Sequence, residues 1–341
     1  MGTKSELVAV GNALVDIVAI SDEDLASVLD LPVNQAIHVS CERFTELLVS
    51  LPAPAMSAGG GSANTAKIAS MLGIRSAFVG RVGSDWKGDR DRFADLFETQ
   101  MREAGVELHL GREADQPTGG CLVVRMGGDR YCIAACPAAA LALAAQDLPE
   151  DLVQAAKVLV LDGYALGRTE LVDRAFALAD RYGTAIALDV GSADIAARFS
   201  DFIARKAADF PLIIFMNEAE AAAFCGAVRP GEDYAATGDF APLRSMTESG
   251  PFPIVVLKRG PRGAVVYASG AELEAPTPFA TPLDATGAGD SFAAGFLAGW
   301  IRDKPLSECA ALGNRVAREI ISVPGTRVPA GVLKRIAKSF A

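Results

Sequence analysis

From Lys157 onward, short uninterrupted apolar runs alternate with longer stretches whose apolar residues recur every three or four positions. The runs Val158 to Leu161, Ala185 to Asp189, Leu212 to Met216 and Ile254 to Leu257 predict strands. Thr169 to Tyr182, 194 to 208 and 218 to 225 carry helical spacing, and a partly helical stretch continues to 249. A strand covered on both faces has no polar side to show, and helices of this length between such strands read as βαβ units. The pattern therefore predicts a mostly parallel sheet with helices on both faces. The first half keeps this rhythm with interruptions: strand Leu7 to Val10, helix Ser62 to Leu72, strand Ala77 to Gly80 and helix Asp89 to Ala104.

Two segments break the rhythm. One is Ile17 to Ser40; the other is Val106 to Ala135, where Cys121 to Val124 and Tyr131 to Ile133 flank Met126-Gly-Gly-Asp-Arg130 as in a β-hairpin. Both are insertions between βα elements. They are expected to meet as a small sheet over one edge of the main one, a lid formed by about 17–40 and 106–135. Surface hairpins without a role are the plainer alternative.

Composition narrows the chemistry. The chain of 341 residues is half apolar, and its longest apolar runs fall well short of the roughly 18 to 20 residues that span a bilayer. Met1 to Glu6 lacks the basic and apolar regions of a signal peptide, so a soluble, cytoplasmic protein is expected. Six cysteines show no CxxC spacing, and the two histidines, His38 and His109, sit in no HExxH pattern and near no Ser-x-Gly elbow. Zinc chemistry and histidine-based hydrolysis therefore have little to work with, and carboxylates are left for any acid or base role. A net charge of -10 argues against broad nucleic-acid binding.

The richest motif is Asp284-Ala-Thr-Gly-Ala-Gly-Asp-Ser-Phe-Ala-Ala-Gly-Phe296. Its glycines let the amides of Gly287, Ala288 and Gly289 converge at a helix start, which favours an anion, and Asp290 stands in the first turn where a hydroxyl can hand it a proton. Taken alone, a GxG followed by Asp reads more simply as an ordinary glycine turn with an acidic helix start, and only the rest of the chain favours the sharper reading. Gly59-Gly-Gly-Ser-Ala-Asn64 enters a helix with Asn64 on its first turn, suited to sugar hydroxyls or to nothing more than a capped helix entrance. Gly11-Asn-Ala-Leu-Val-Asp16 puts Asn12 and Asp16 at the carboxyl end of the first strand, the edge where open α/β sheets bind ligands, although Asn and Asp also make ordinary turns. Asn217-Glu-Ala-Glu220 and Lys258-Arg-Gly-Pro-Arg-Gly263 sit at two further strand ends. The first reads as a helix cap or as Mg²⁺ organisation, the second as a hairpin or as cationic, glycine-lined contact to phosphate. No GxxxxGK[ST] occurs, and neither glycine cluster completes GxGxxG, which weakens a nicotinamide-dependent oxidoreductase.

Taken in order, GNALVD, GGGSAN, NEAE, KRGPRG, DATGAGD and a closing helix with Asn314 before Pro-Gly-Thr326 resemble the ribokinase-like carbohydrate kinases, the phosphofructokinase B family, over essentially the whole chain. The resemblance implies a single domain over 1–341, a three-layer α/β/α sandwich with a mostly parallel sheet and a small β-sheet lid. It makes Asp290 the catalytic base and Gly287, Ala288 and Gly289 the anion hole for the transferring phosphoryl, chemistry that needs positioning and charge neutralisation more than covalent help. It assigns Asn12, Asp16, Gly60 and Asn64 to the acceptor, and Asn217, Glu220, Lys258, Gly260, Gly263 and Asn314 to ATP and Mg²⁺. Asp284, Thr286, Val323 and Gly325 fall where relatives hold a monovalent cation such as K⁺.

The Asn-to-Asp spacing of GNALVD looks like the adenosine kinase branch, so the expected reaction is ATP-dependent phosphorylation of a primary hydroxyl of a ribonucleoside or furanose sugar. Ribose, fructose or 2-keto-3-deoxygluconate are the alternative acceptors, and a catalytically silent sugar or nucleotide sensor the alternative class. Lys258-Arg259 before the glycine and Cys136-Pro-Ala-Ala-Ala-Leu-Ala142 depart from the family pattern and bear on specificity. The expected partners are the small-molecule acceptor and a second copy of the chain through the lid, with no nucleic acid and no membrane.

Overall fold

A computed structural model of the chain describes residues 4–340 apart from 22–24, 52–53, 86–90, 127–129, 249–252, 281, 284 and 324–329. The main sheet has nine strands: β1 (Leu7–Val10), β5 (Ser76–Val82), β6 (Glu107–Arg112), β9 (Val158–Asp162), β10 (Ala185–Asp189), β11 (Leu212–Asn217), β12 (Ile254–Lys258), β13 (Ala264–Ala268) and β14 (Ala271–Ala275). Their order is β14-β13-β12-β11-β10-β9-β1-β5-β6. Every pairing from β6 to β12 is parallel, while β12 with β13 and β13 with β14 pair antiparallel at one edge. Successive side chains feed opposite faces: Leu7 and Ala9 enter one core with helices Gly61–Met71 and Ala288–Ile301, while Val8 and Val10 enter the other with helices Thr169–Tyr182 and Glu218–Val228.

Four neighbouring strands end on a polar residue at the carboxyl edge. Asp162 lies in register with Asp189, and Asn217 with Lys258. The apolar run of each strand is thus anchored in the core while its last side chain emerges at the rim of the sheet, where the loops converge.

The second sheet has five strands in the order β3-β8-β7-β2-β4: β2 (Leu14–Ser21), β3 (Gln35–His38), β4 (Ala55–Gly59), β7 (Thr118–Met126) and β8 (Arg130–Ala138). Alternation splits it cleanly. Val15, Ile17, Ala19, Leu122, Val124 and Ala134 pack with Phe44 and Leu47 of helix Cys41–Val49. The register pairs Asp16 with Cys121 and Val18 with Val123 on the opposite face, and Val123 in turn lies beside Ile133.

Several expectations are corrected. Residues 107–112, expected in the lid, form the edge strand β6 beside β5 in the main sheet, and the small sheet instead gains β4 and a β2 that begins at Leu14. GNALVD is only briefly a turn; Asp16 already belongs to β2. The helix expected over 194–208 is two helices, Ala193–Arg198 and Ser200–Asp209, divided where Phe199 takes φ −108°, ψ 15°. The hairpin around β7 and β8 is antiparallel as the alternation indicated; its tip, 127–129, lies outside the described residues.

Candidate active site

Gly287 takes the left-handed φ of 72° that closes the turn before helix Ala288–Ile301, placing Asp290 in the helix's first turn. Within that turn the Ala288 amide donates to the Ala285 carbonyl at 3.1 Å, and Ser291 Oγ donates to the Gly287 carbonyl at 2.6 Å. The Ala288 amide is therefore engaged inside the turn. Beside Gly289 stands Lys258 from the end of β12: a Cβ at residue 289 would lie 3.1 Å from Nζ. The ammonium donates to both oxygens of Asp189, at 3.0 and 2.8 Å. Burial opposes its charge, but Asp189, Glu220 and Asp290 around it hold its pKa above the usual lysine value.

The Asp290 carboxylate is joined to the small sheet through one amide. Asn64 Nδ2 donates to Asp290 Oδ2 at 3.1 Å and to Asp16 Oδ2 at 3.3 Å. The neighbouring Thr65 Oγ1 donates to the Asp290 carbonyl at 3.3 Å. This approach depends on the glycine run before the helix. A Cβ at residue 59 would sit 2.0 Å from Asp16 Cγ, and one at residue 60, whose φ is 98°, would meet the Asn12 carbonyl at 2.2 Å. Burial, with Asp189 and Asp16 adding negative charge, pushes the Asp290 pKa up to about 7 against the pull of Asn64 and Lys258.

Asn217 and Glu220 form a reciprocal cap. The Asn217 side chain accepts from the Glu220 amide at 2.9 Å, while Glu220 accepts from the Asn217 amide at 2.9 Å and from Asn217 Nδ2 at 2.7 Å. The cap reading of this motif is what the geometry displays, yet the pair also borders the charged cluster. Burial raises the Glu220 pKa to about 7, with Lys258 opposing and Asp189 reinforcing.

A pocket of about 380 Å³ opens behind Gly289, lined by Asn217, Lys258, Gly260, Gly263 and Asn314 together with Phe279, Phe292 and Ile321. Asn314 is buried and donates to the Ala275 carbonyl at 2.8 Å, which fixes it against the end of β14. Gly263, at φ 83°, is pressed against the same carbonyl, where a Cβ would come within 2.2 Å. Asn12, Asp16, Gly60 and Asn64 thus gather on one side of Asp290, and five of the residues expected around ATP gather on the other.

The chain matches the model of the pfkB family carbohydrate kinases over residues 6–331. It belongs to that family. It is 28% identical to the adenosine kinase of Saccharomyces cerevisiae over 341 residues, covering 95% of this chain and 96% of the yeast protein. Among solved structures it is similar to the adenosine kinase of Sinorhizobium meliloti, with a TM-score of 0.84, 25% identity, and 99% and 100% of the two chains covered. It is also similar to a probable sugar kinase of Rhizobium etli CFN 42, with a TM-score of 0.85, 23% identity and 99% of each chain covered. The ribokinase-like α/β fold with its second, small sheet and the kinase class follow directly, as does the use of ATP.

Of the residues expected at a cation site in this pfkB kinase, Asp284 and Gly325 lie outside the described residues. Thr286 and Val323 lie within them, and the Leu283 amide donates to the Ile321 carbonyl at 2.7 Å, so their two segments run close together. Reading the sequence missed Asp189, the partner of Lys258, together with Asp162 at the end of β9, Tyr164 and Arg168 after it, and Cys121 beside Asp16. For Asp162 and Asp189 a signal was present: VLVLD and AIALD end on a polar residue as LIIFMN and IVVLK do. Cys121 and Arg168 have no such signal, because only the strand register and the tertiary fold bring them to the site.

Proposed function

We propose that this pfkB kinase phosphorylates the primary hydroxyl of an adenosine-like ribonucleoside, with Asp290 as the base. The observation that carries this reading is the bridge of Asn64 between Asp16 and Asp290. A sugar whose hydroxyls bind Asp16, Asn64, Asn12 and the Gly60 backbone has its remaining primary hydroxyl next to Asp290. In that position the ionised carboxylate accepts the hydroxyl proton as the oxygen attacks the γ-phosphoryl of ATP, and ADP leaves. Lys258 and the helix start at Gly287 to Gly289 supply positive potential where charge accumulates on the phosphoryl oxygens. The nucleoside assignment rests on the face that carries Asp16. Val18, Val123 and Ile133 lie next along that face, an apolar surface of the kind that a flat base covers, and the yeast relative is named an adenosine kinase.

ATP fits the pocket of Asn217, Lys258, Gly260, Gly263 and Asn314. Mg²⁺ fits as an ion carried in by the phosphates: no cluster of three His, Cys, Asp or Glu side chains among the described residues would hold a metal alone, and Mg²⁺ usually keeps water and phosphate ligands. Asn217 and Glu220 would border its water shell, where the ion would neutralise phosphate charge. K⁺ would belong to the turns around Thr286 and Val323. The small sheet would act as the lid, closing over the acceptor to exclude water, and as the dimer surface.

The test is acceptor-dependent ADP release with adenosine, other nucleosides, ribose, fructose and 2-keto-3-deoxygluconate. Turnover with a ribonucleoside is expected. Release with free sugars only would overturn the nucleoside assignment, and the absence of ADP release with every acceptor would favour a silent sensor.

A further inference from the structure

The acceptor side of the site rests on a buried polar layer beneath the β1–β2 turn that no motif announced. Arg168 leaves the short turn Gly163–Gly167 after β9 and enters helix Thr169–Tyr182. Its Nη2 donates to Asn12 Oδ1 at 2.6 Å and to the Ala140 carbonyl at 3.0 Å. A guanidinium has only donors, so it selects the oxygen of the Asn12 amide and turns the amide's NH₂ away from itself. Asn12 is 7% exposed, so this orientation is held inside the protein and not averaged by water.

The second acceptor of Arg168 lies where the chain leaves the small sheet. Ala138, the last residue of β8, has φ 44° and ψ −121°, a conformation that an alanine adopts only when its surroundings hold it there, and the turn Ala139–Ala142 follows. Arg168 is one such hold, and the Ala139 amide, donating to the Pro117 carbonyl at 3.1 Å, is another. The CPAAALA segment therefore has a structural use: it brings a bare carbonyl to the guanidinium. Below it, Ser62 Oγ donates to Asp162 Oδ2 at 3.0 Å, and a Cβ at residue 11 would sit 2.1 Å from that hydroxyl. Arg168 Nη1 and Asp162 Oδ1 are both buried with no hydrogen-bond partner among the described residues. Buried polar atoms without partners mark a layer whose hydrogen-bonding capacity is not used up by packing.

We infer that Arg168 is a positioning residue for the acceptor: it fixes the Asn12 amide with its NH₂ toward the acceptor oxygens and ties that amide to the base of the small sheet. This rests on the kinase reading above. A fixed donor contributes to binding by sparing the acceptor the cost of ordering it, so its loss appears in acceptor affinity before it appears in turnover.

The experiment is a double-mutant cycle on the full chain, with ADP release measured against adenosine, or against ribose if adenosine is not turned over. Arg168→Met is expected to raise the acceptor KM by about tenfold with kcat within about threefold and the KM for ATP unchanged, the pattern of a lost ground-state contact. Asn12→Ala is expected to do the same, and the double variant to be no worse than Asn12→Ala by more than about twofold, because the second change removes a contact already gone. Arg168→Lys, which keeps a cationic donor, is expected to recover at least about a third of the lost affinity and serves as the probe if the methionine variant fails to fold. Multiplying effects in the double variant, an acceptor KM within twofold of wild type in Arg168→Met, or no recovery with lysine would overturn the inference while leaving the kinase reading intact. A wild-type chain silent with every acceptor tried would overturn both.

Discussion

At the scale of single residues, the site holds two buried carboxylates whose pKa values burial raises. Asp290 and Glu220 are both pushed up to about 7, and Lys258 with Asp189 lies between them. A base must be ionised to accept a proton, so kcat/KM is expected to rise with pH and level off above about pH 8, with a midpoint that belongs to the cluster and not to one carboxylate. A flat profile between pH 6 and pH 8 would contradict the assignment of Asp290. Asp290→Asn is expected to cut turnover by at least about a hundredfold while ATP still binds; a coupled assay retaining about a tenth of the wild-type rate would refute the role.

The same shift has a stability consequence of opposite sign. A carboxyl with a folded pKa of about 7 and an ordinary value of 3.8 binds more protons folded than unfolded between those two values. Its contribution is complete in acid and declines as pH rises toward and through about 7. At pH 8 the Asp290→Asn chain is therefore expected to melt higher than wild type, by about 2 °C or more, in a thermal scan. An equal or lower Tm would show that the charge is fully compensated in the folded state.

At the scale of elements, the glycines of helix Ala288–Ile301 explain how the helix that carries Asp290 is fixed. Helix Leu306–Ile320 packs directly against it, and a Cβ at Gly295 would lie 2.9 Å from both Gly313 Cα and the Leu312 carbonyl. Backbone cannot move aside as a flexible side chain does. Gly295→Ala is therefore expected to destabilise the protein by about 1–3 kcal/mol despite the better helix propensity of alanine, as read from the urea midpoint. Strands β9 to β12 and helix Thr169–Tyr182 were legible in the sequence because a doubly covered strand is apolar throughout and an amphipathic helix is periodic. Strand β2 was not: Asp16 interrupts its apolar run, and the face it marks becomes meaningful only beside Cys121 of β7. Asn12, Asp16, Asn64 and Asp290, which the fold brings together, stand out in the sequence because each lies in a glycine-rich or strand-end motif. Arg168 follows a plain turn, and no local pattern connects it to a residue 156 positions away.

At the scale of the whole molecule, the small sheet contributes much of the exposed apolar surface. Ile20 is 57% exposed on β2, with Val28, Val33, Val49 and Tyr131 exposed around the same sheet. The proposed dimer through this sheet predicts a mass of twice the 35.5 kDa chain in light scattering, reduced toward one chain by Ile20→Glu. A monomer at all concentrations would remove the dimer from the reading without touching the site.

The single amide of Asn64, shared between Asp16 and Asp290, makes acceptor binding a proton-counting event. Its hydrogen bond is one of the forces holding the Asp290 pKa down. An acceptor that draws the amide toward itself exchanges that restraint for its own hydroxyl's hydrogen bond to the carboxylate, so the binary complex is expected to differ from the free protein in bound protons near neutral pH. The heat of acceptor binding would then differ between buffers of low and high ionisation enthalpy, and a heat independent of buffer would mean that Asp290 binds its proton equally in both states.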